Sequence, residues 1–422
     1  MKKSLPLKSV ALFIAGCFTF AALPAYGEGD DMQIRNGFPD VLDGTMMPYD
    51  FSATDSIVPW GIDMRPVFIN YVARHGARFL SSQKKIDKLR KELIEARDEN
   101  TLSEKGKDFL ALIDRVDSVT DGRWGALNDV GIEEEKRLAG EMADVAPGLL
   151  EKGKIKAIAT YVPRVVMTMY EFCHQLACTS SDFEISTAEG KQFNPLLRYF
   201  TTDSAYVAYL KNPTWKETYD KYAYKILPTA PAQSFFTIGK ANHKLQKLSL
   251  DAYGILQSLK AAGIDADPSE WFTLSDYRNC WEVSNLEHYY ERSANSFSMA
   301  PVEGAYPLLQ SLINSTETAL NGASEEVAFL RFGHAETLLP LFSLMRLPGC
   351  YQPEASAASL SKTWIDSYIT PLGANLMIVV LKDQDGTPFV ALRLNGKWVD
   401  TDGSKLTEWS KMKSLWESYM RD

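Results

Sequence analysis

Cysteine is scarce in this chain, five in 422 residues, and the scarcity narrows the available chemistry. Cys173 and Cys178 stand five apart with His174 between them. That spacing does not put two ligands on one helix face, so a Cys/His metal centre is not expected. Cys173, Cys178, Cys280 and Cys350 allow three disulfide pairings, and the sequence chooses neither among these nor between bridges and buried thiols. Beyond residue 27 no apolar run approaches the roughly 18 residues of a membrane span, and there is no internal repeat or low-complexity tract. Basic excess is also missing. The formal charge is −9, and without Lys2, Lys3 and Lys8 of the first 27 residues it becomes −12. Such a chain repels nucleic acid and anionic membrane as a whole, so a phosphorylated ligand requires a positive field confined to one cleft.

What is present is ordinary globular material, 45% hydrophobic and 11% aromatic, enough for two or three domains' worth of core. Residues 1–27 combine three lysines, an apolar stretch from Val10 to Ala22 and the small-residue pattern Ala25-Tyr26-Gly27, which reads as an export signal. A periplasmic or secreted location is expected. Ile14-Ala15-Gly16-Cys17 also has the form of a lipoprotein acylation site, which would leave the protein tethered through Cys17.

Three segments share one grammar, an apolar run followed by a charged turn and then a helical pattern. Pro66–Ala73 runs into Arg74-His75-Gly76-Ala77-Arg78, after which Ser81 or Ser82 caps a helix with Ile86, Leu89, Leu93 and Ile94 on its apolar stripe. Ile155–Thr160 runs into Tyr161-Val162-Pro163-Arg164, with Pro163 at the first helical position and Val166, Met169, Tyr170 and Cys173 following at helical spacing. Glu326–Phe332 ends at Gly333-His334-Ala335-Glu336-Thr337 before a helical Leu338–Met345. Repeated units of this kind predict an α/β fold with a mostly parallel sheet flanked by helices and ligands bound beyond the carboxyl ends of the strands. Asn375–Leu381 and Pro388–Leu394 read as a hairpin whose Asp383 and Asp385 belong to a turn. The aromatic-rich stretch 194–304, with helices expected at Lys211–Tyr224 and Ala241–Ala262, reads as an inserted, mainly helical domain capping the strand ends, leaving 28–193 and 305–422 as the core.

Phosphoryl transfer without a metal needs a nucleophile, fixed positive charge on the equatorial oxygens, and an acid for the leaving alcohol. The three turns supply all of them. His75 is the candidate nucleophile, and the neighbouring guanidiniums of Arg74, Arg78 and Arg164 are expected to keep its imidazole neutral. Arg164 at a helix start opposes the macrodipole unless an anion sits there. His334 ends a second parallel strand at the same edge, and Glu336 in the first helical turn is the candidate acid. Arg198 is a weaker candidate for outlying phosphates, with a surface role as its alternative.

With these residues in view, Arg74-His75-Gly76-Ala77-Arg78, Arg164 and His334-Ala335-Glu336-Thr337 resemble the signature of the histidine phosphatase superfamily, in its acid phosphatase and phytase branch. Arg123–Gly131 matches a connecting stretch of that branch, and the resemblance runs from about Val67 to about Asn395. A His-Ala-Glu turn, in place of the commoner His-Asp, is similar to that of the multiple inositol polyphosphate phosphatases. The resemblance implies a phosphohistidine on His75, phosphate held by Arg74, Arg78, Arg164 and His334, Glu336 as proton donor with Ala335 in the usual Asp position, and no metal or cofactor. The implied partner is a small phosphorylated molecule, inositol hexakisphosphate (phytate). Two alternatives stand beside it: a broad acid phosphatase for sugar or nucleotide phosphates, and a binding protein that holds a phosphorylated ligand without catalysis. The oligomeric state is left open.

Overall fold

The computed structural model describes residues 34–35, 38–179, 182–401 and 403–421. The expected export signal and Cys17 lie outside them. The main sheet is built on β1 (Arg65–Arg74), β2 (Gly153–Ala159), β3 (Phe183–Glu189), β4 (Glu326–Gly333), β5 (Asn375–Lys382) and β6 (Pro388–Leu394). β1, β4, β2 and β3 lie side by side in that order and parallel, while β5 pairs antiparallel with the other side of β1 and continues into the expected hairpin with β6. β1 is therefore central, with Phe68 to Arg74 all buried. Apolar runs without polar alternation form strands here because helices cover both faces of the sheet. The fold is mixed α/β, with the four parallel strands carrying the three charged turns.

The helices follow the sequence with shifts of phase. The helix after β1 spans Lys84–Asp98 with Gln83 at its N-cap and no side-chain cap; Ser81 and Ser82 lie upstream, and Ala96 joins Ile86, Leu89 and Leu93 in the core while Ile94 is only half-buried. Helix Pro163–Thr179 buries Val165, Met169, Phe172, Cys173 and Leu176, leaving Tyr170 exposed and Val166 half-buried. The stripe thus faces the sheet one residue earlier than Val166 and Tyr170 suggested. β3 was not foreseen: it is an edge strand of sequence Phe-Glu-Ile-Ser-Thr-Ala-Glu, too polar for a hydrophobic run to reveal it. Asp383 closes its turn by accepting the amides of Asp385 and Thr387 at 3.0 and 2.8 Å.

Helices occupy Ser204–Lys211, Lys216–Ile226, Asn242–Leu256 and Leu274–Arg292. Leu245, Leu248, Tyr253, Phe272 and Tyr277 share an apolar cluster with Leu89, Leu93, Phe109 and Ile113 of the helices that follow β1. The helical layer is therefore packed from both parts of the chain. Cys173, Cys280 and Cys350 are buried free thiols and Cys178 is an exposed one. Among the described residues no helix is long and apolar enough to cross a membrane.

Candidate active site

Strand register decides which side chains meet. Arg74 of β1 pairs with Gly333 of β4, and Ala159 of β2 pairs with Phe332 of β4. His75, His334 and Thr160 each follow directly, so three turns converge at one sheet edge. The two imidazoles lie edge to face with centroids 5.8 Å apart, and Thr160 Oγ1 is 3.2 Å from His334 Nε2. His75, Arg74, His334 and Arg78 are all buried, between 2% and 8% exposed, so their charges act in a medium that screens them poorly.

The turn after β1 is held from behind. His75 N–H donates to Gly333 O at 3.2 Å, Gly76 N–H to Thr168 Oγ1 at 3.2 Å, and Ala77 N–H to Glu134 Oε2 at 2.7 Å. Glu134 Oε1 accepts the amide of Tyr49 at 3.0 Å. The Arg123–Gly131 stretch packs onto the same turn, with Phe79 N–H donating to Ala126 O and Asn128 N–H to Ala77 O. Asn128 then caps helix Asp129–Val145 through Gly131 N–H. Gly131 is needed for this approach, since a Cβ there would stand 2.2 Å from Ala77 O.

His75 Nδ1 lies 2.9 Å from Gly76 O. A carbonyl only accepts, so Nδ1 carries the proton and Nε2 keeps its lone pair. Burial, then Arg164, Arg74 and Arg78, hold the imidazolium well below its ordinary range, leaving the ring neutral as the sequence anticipated. His334 is lowered to about 3 by burial, with Glu336 opposing and Arg164 and Arg198 reinforcing. Arg74 is lowered to about 9 and Arg78 to about 10, by burial first and then by neighbouring guanidiniums. Arg74 NH1 donates to Thr45 O and Thr370 O at 2.5 and 2.7 Å, and Arg78 NH1 to Phe79 O at 2.9 Å. The Nε atoms of Arg74, Arg78, Arg164 and Arg198 are buried without a protein acceptor. This is a concentration of donors with far less anionic charge than it can accept.

Glu336 stands in the first turn of helix Ala335–Leu344, which His334 caps. Its side chain keeps 37% exposure and its carboxyl is held down to about 2: burial raises it, but Arg292, His334 and Arg74 outweigh that. Arg198 lies over Tyr161 and Phe200, 5.1 and 5.3 Å from their centroids, and Phe200 packs edge-on to His334 at 5.9 Å. All seven candidate residues, His75, Glu336, Arg74, Arg78, Arg164, His334 and Arg198, thus fall in one neighbourhood. Sequence reading missed four others. Arg292 NH2 is 3.6 Å from Glu336 Oε1, Thr160 touches His334, Glu134 fixes Ala77, and Lys85 stands within electrostatic range of Arg78, Arg292 and Glu336. Thr160 alone had a signal, as the residue ending the second apolar run.

The fold is similar to that of the multiple inositol polyphosphate phosphatase of Bifidobacterium longum in its complex with inositol hexasulfate, at a TM-score of 0.75 and 16% identity over 89% of this chain and 97% of that one. The same enzyme in complex with phosphate gives the same values. The phytase of D. castellii matches at a TM-score of 0.70 and 14% identity over 94% of this chain and 90% of that one. No curated protein sequence matches this chain. The sequence model of one family does match, from residue 67 to 395, spanning every strand and turn that builds the site, and by that match the chain belongs to the histidine phosphatase superfamily, branch 2.

Proposed function

We propose that this protein is an exported phosphatase that removes phosphates stepwise from inositol hexakisphosphate through a phosphohistidine on His75. The observation that carries the reading is a neutral His75, with Nε2 free, among buried guanidinium Nε groups that have no protein acceptor. In the first step Nε2 attacks phosphorus, the bond from phosphorus to the leaving oxygen breaks, and Glu336 gives that oxygen its proton. Water then attacks the phosphohistidine, returns a proton to Glu336 and releases inorganic phosphate. Arg74, Arg78, Arg164 and His334 hold the equatorial oxygens throughout, where fixed donors are worth most. Residues 194–304 shape the rest of the pocket, contributing Arg198 for outlying phosphates. The chemistry calls for no metal or cofactor.

Inositol phosphate as substrate is supported by the His-Ala-Glu turn and by the inositol hexasulfate complex of the Bifidobacterium longum neighbour. Export, with lipid attachment at Cys17 as its variant, is supported by the composition of residues 1–27. The test is phosphate release from inositol hexakisphosphate in the presence of chelator by the mature protein, His75→Ala and Glu336→Ala. Release unaffected by chelator and abolished in His75→Ala is expected. Hydrolysis of simple monoesters but not of inositol hexakisphosphate would refute the substrate and keep the phosphatase. Tight binding without release from either would leave a ligand-binding protein.

A further inference from the structure

The helix Leu274–Arg292 is fixed along one face. Trp281 Nε1 donates to Asp366 Oδ1 at 3.1 Å, Asn285 Oδ1 accepts Asp366 N–H at 2.9 Å, and His288 Nδ1 lies 2.7 Å from Asp366 Oδ2. Positions 281, 285, 288 and 292 share that face at helical spacing, so the anchorage that pins the helix also delivers Arg292 to Glu336. Its guanidinium is shared between two carboxylates, 3.2 Å from Glu291 Oε2 and 3.6 Å from Glu336 Oε1. It therefore has a counter-charge to keep when it gives Glu336 up.

We propose that Arg292 makes the proton donor respond to a second phosphate on the substrate, holding Glu336 in the resting site and releasing it when a phosphate carried by the leaving group takes the guanidinium. The inference rests on Glu336 being the donor. A donor must lie within hydrogen-bond reach of the leaving oxygen, so the substituents beside that oxygen fall around Glu336. Arg292 comes from the helical layer, and Lys85, from helix Lys84–Asp98, is lowered in proton affinity by burial first and then by Arg78 and Arg292, which places it near both. A phosphate on the neighbouring carbon meets these two cations. The groups facing Glu336 are Arg292 from its helix, His334 and Arg74 from the strand ends, Arg78 and Arg164 from the turns, Lys85, and the phenols of Tyr199 and Tyr206. Glu287, Glu291 and Tyr206 face Arg292.

A resting Glu336 that is ionised has no proton to give, and a substrate with one phosphate leaves its pairing with Arg292 intact. A substrate with vicinal phosphates draws Arg292 away and adds negative charge nearby, and both effects raise the carboxyl's proton affinity. The site then selects polyphosphorylated substrates in kcat as well as in KM, because the second phosphate switches on the acid.

The experiment compares an alkyl monophosphate with a vicinal alkyl bisphosphate, each relative to p-nitrophenyl phosphate, whose leaving group needs no proton. It uses the mature protein, Arg292→Met, Arg292→Lys and Glu336→Gln, from pH 4 to 8. The unmodified enzyme is expected to favour the bisphosphate in kcat by about tenfold or more. In Arg292→Met that ratio falls towards one, and the alkaline limb for the monophosphate moves up by about one pH unit. Arg292→Lys restores both. Equal slowing of the two alkyl substrates in Arg292→Met, with the limb unmoved, would overturn the proposal and leave Arg292 a packing residue. If instead Glu336→Gln slows the release of alcohol and of p-nitrophenol alike in the first turnover, before water attacks the phosphohistidine, the donor reading itself fails and the Arg292 proposal with it.

Discussion

Replacing Glu134 by Gln tests whether the turn that carries His75 rests on a buried, proton-sensitive support. Both carboxyl oxygens accept backbone amides, from Tyr49 and from Ala77, two residues beyond His75. Burial nonetheless raises the carboxyl from 4.5 to about 7, against the lowering effects of Ala77, Tyr49 and Arg74. Glu135 beside it is pushed well above its ordinary range by burial and by Glu134. A raised carboxyl pKa favours the fold while the group is protonated. The contribution is whole below about 4.5 and is lost as pH rises through about 7, worth on the order of 3 kcal/mol. Glutamine removes this titration but offers one acceptor for two amides, a fixed cost of about 1–3 kcal/mol. Urea unfolding from pH 4 to 8.5 should therefore show Glu134→Gln clearly less stable than the unmodified protein at pH 4.5 and close to it at pH 8. Comparing the two proteins cancels the histidines and Glu336, whose titrations have the opposite sign. A gap that stays constant or widens as pH rises refutes the reasoning.

Three further substitutions probe other parts of the design. Glu336→Ala should slow alcohol release from alkyl phosphates in the first turnover by about 10²–10⁴-fold, with much of the loss absent for p-nitrophenol release, as rapid-quench kinetics on the two substrates would show. Gly131→Ala places a Cβ 2.2 Å from Ala77 O, which must move the turn by about an ångström. A fall of about 10²-fold in kcat/KM with little change in circular dichroism is expected. Arg331→Met strips the buried Asn70 and the half-buried Ser311 and Ser315 side chains of a donor they share, and should cost about 3 kcal/mol or more in urea unfolding with no change in KM for the folded fraction.

The core of the fold was legible because the physics that hides a strand from water also writes it as a run. Phe68 to Ala73 and Ala328 to Phe332 belong to strands covered on both faces, and each run ends at the charged turn that follows. β3 escaped because Glu184, Ser186 and Thr187 need no burial at an edge. Glu133-Glu134-Glu135 looks like a solvated helix face, yet Glu134 is 5% and Glu135 0% exposed, since helix Asp129–Val145 must turn that side to the His75 loop to let Gly131 approach it. Arg292 carries no signal at all. An arginine in the last turn of an amphipathic helix is expected there on electrostatic grounds, and its nearness to Glu336 arises only when the Asp366 segment anchors that helix.

The same segments explain how a crowd of like charges is kept in place. Arg74, Arg78 and Arg164 repel one another, which adds to burial in lowering the proton affinity of Arg74 and Arg78, and repulsion alone would splay the turn. Carbonyls oppose it. Arg74 NH1 bonds both Thr45 O, at the end of the 3-10 segment Asp40–Met46, and Thr370 O, just beyond Asp366–Ile369. Asp366 is in turn the anchor of the helix that presents Arg292. One guanidinium thus connects β1 to the segment that positions Arg292, so the strand leading to His75 and the ion-pair partner of Glu336 share a support. A lysine at position 74 would preserve charge but not the planar fork that leaves Nε and the second amino group free for phosphate while NH1 is engaged. The arginine before His75 serves the fold through NH1 and leaves the rest of its fork to the proposed chemistry.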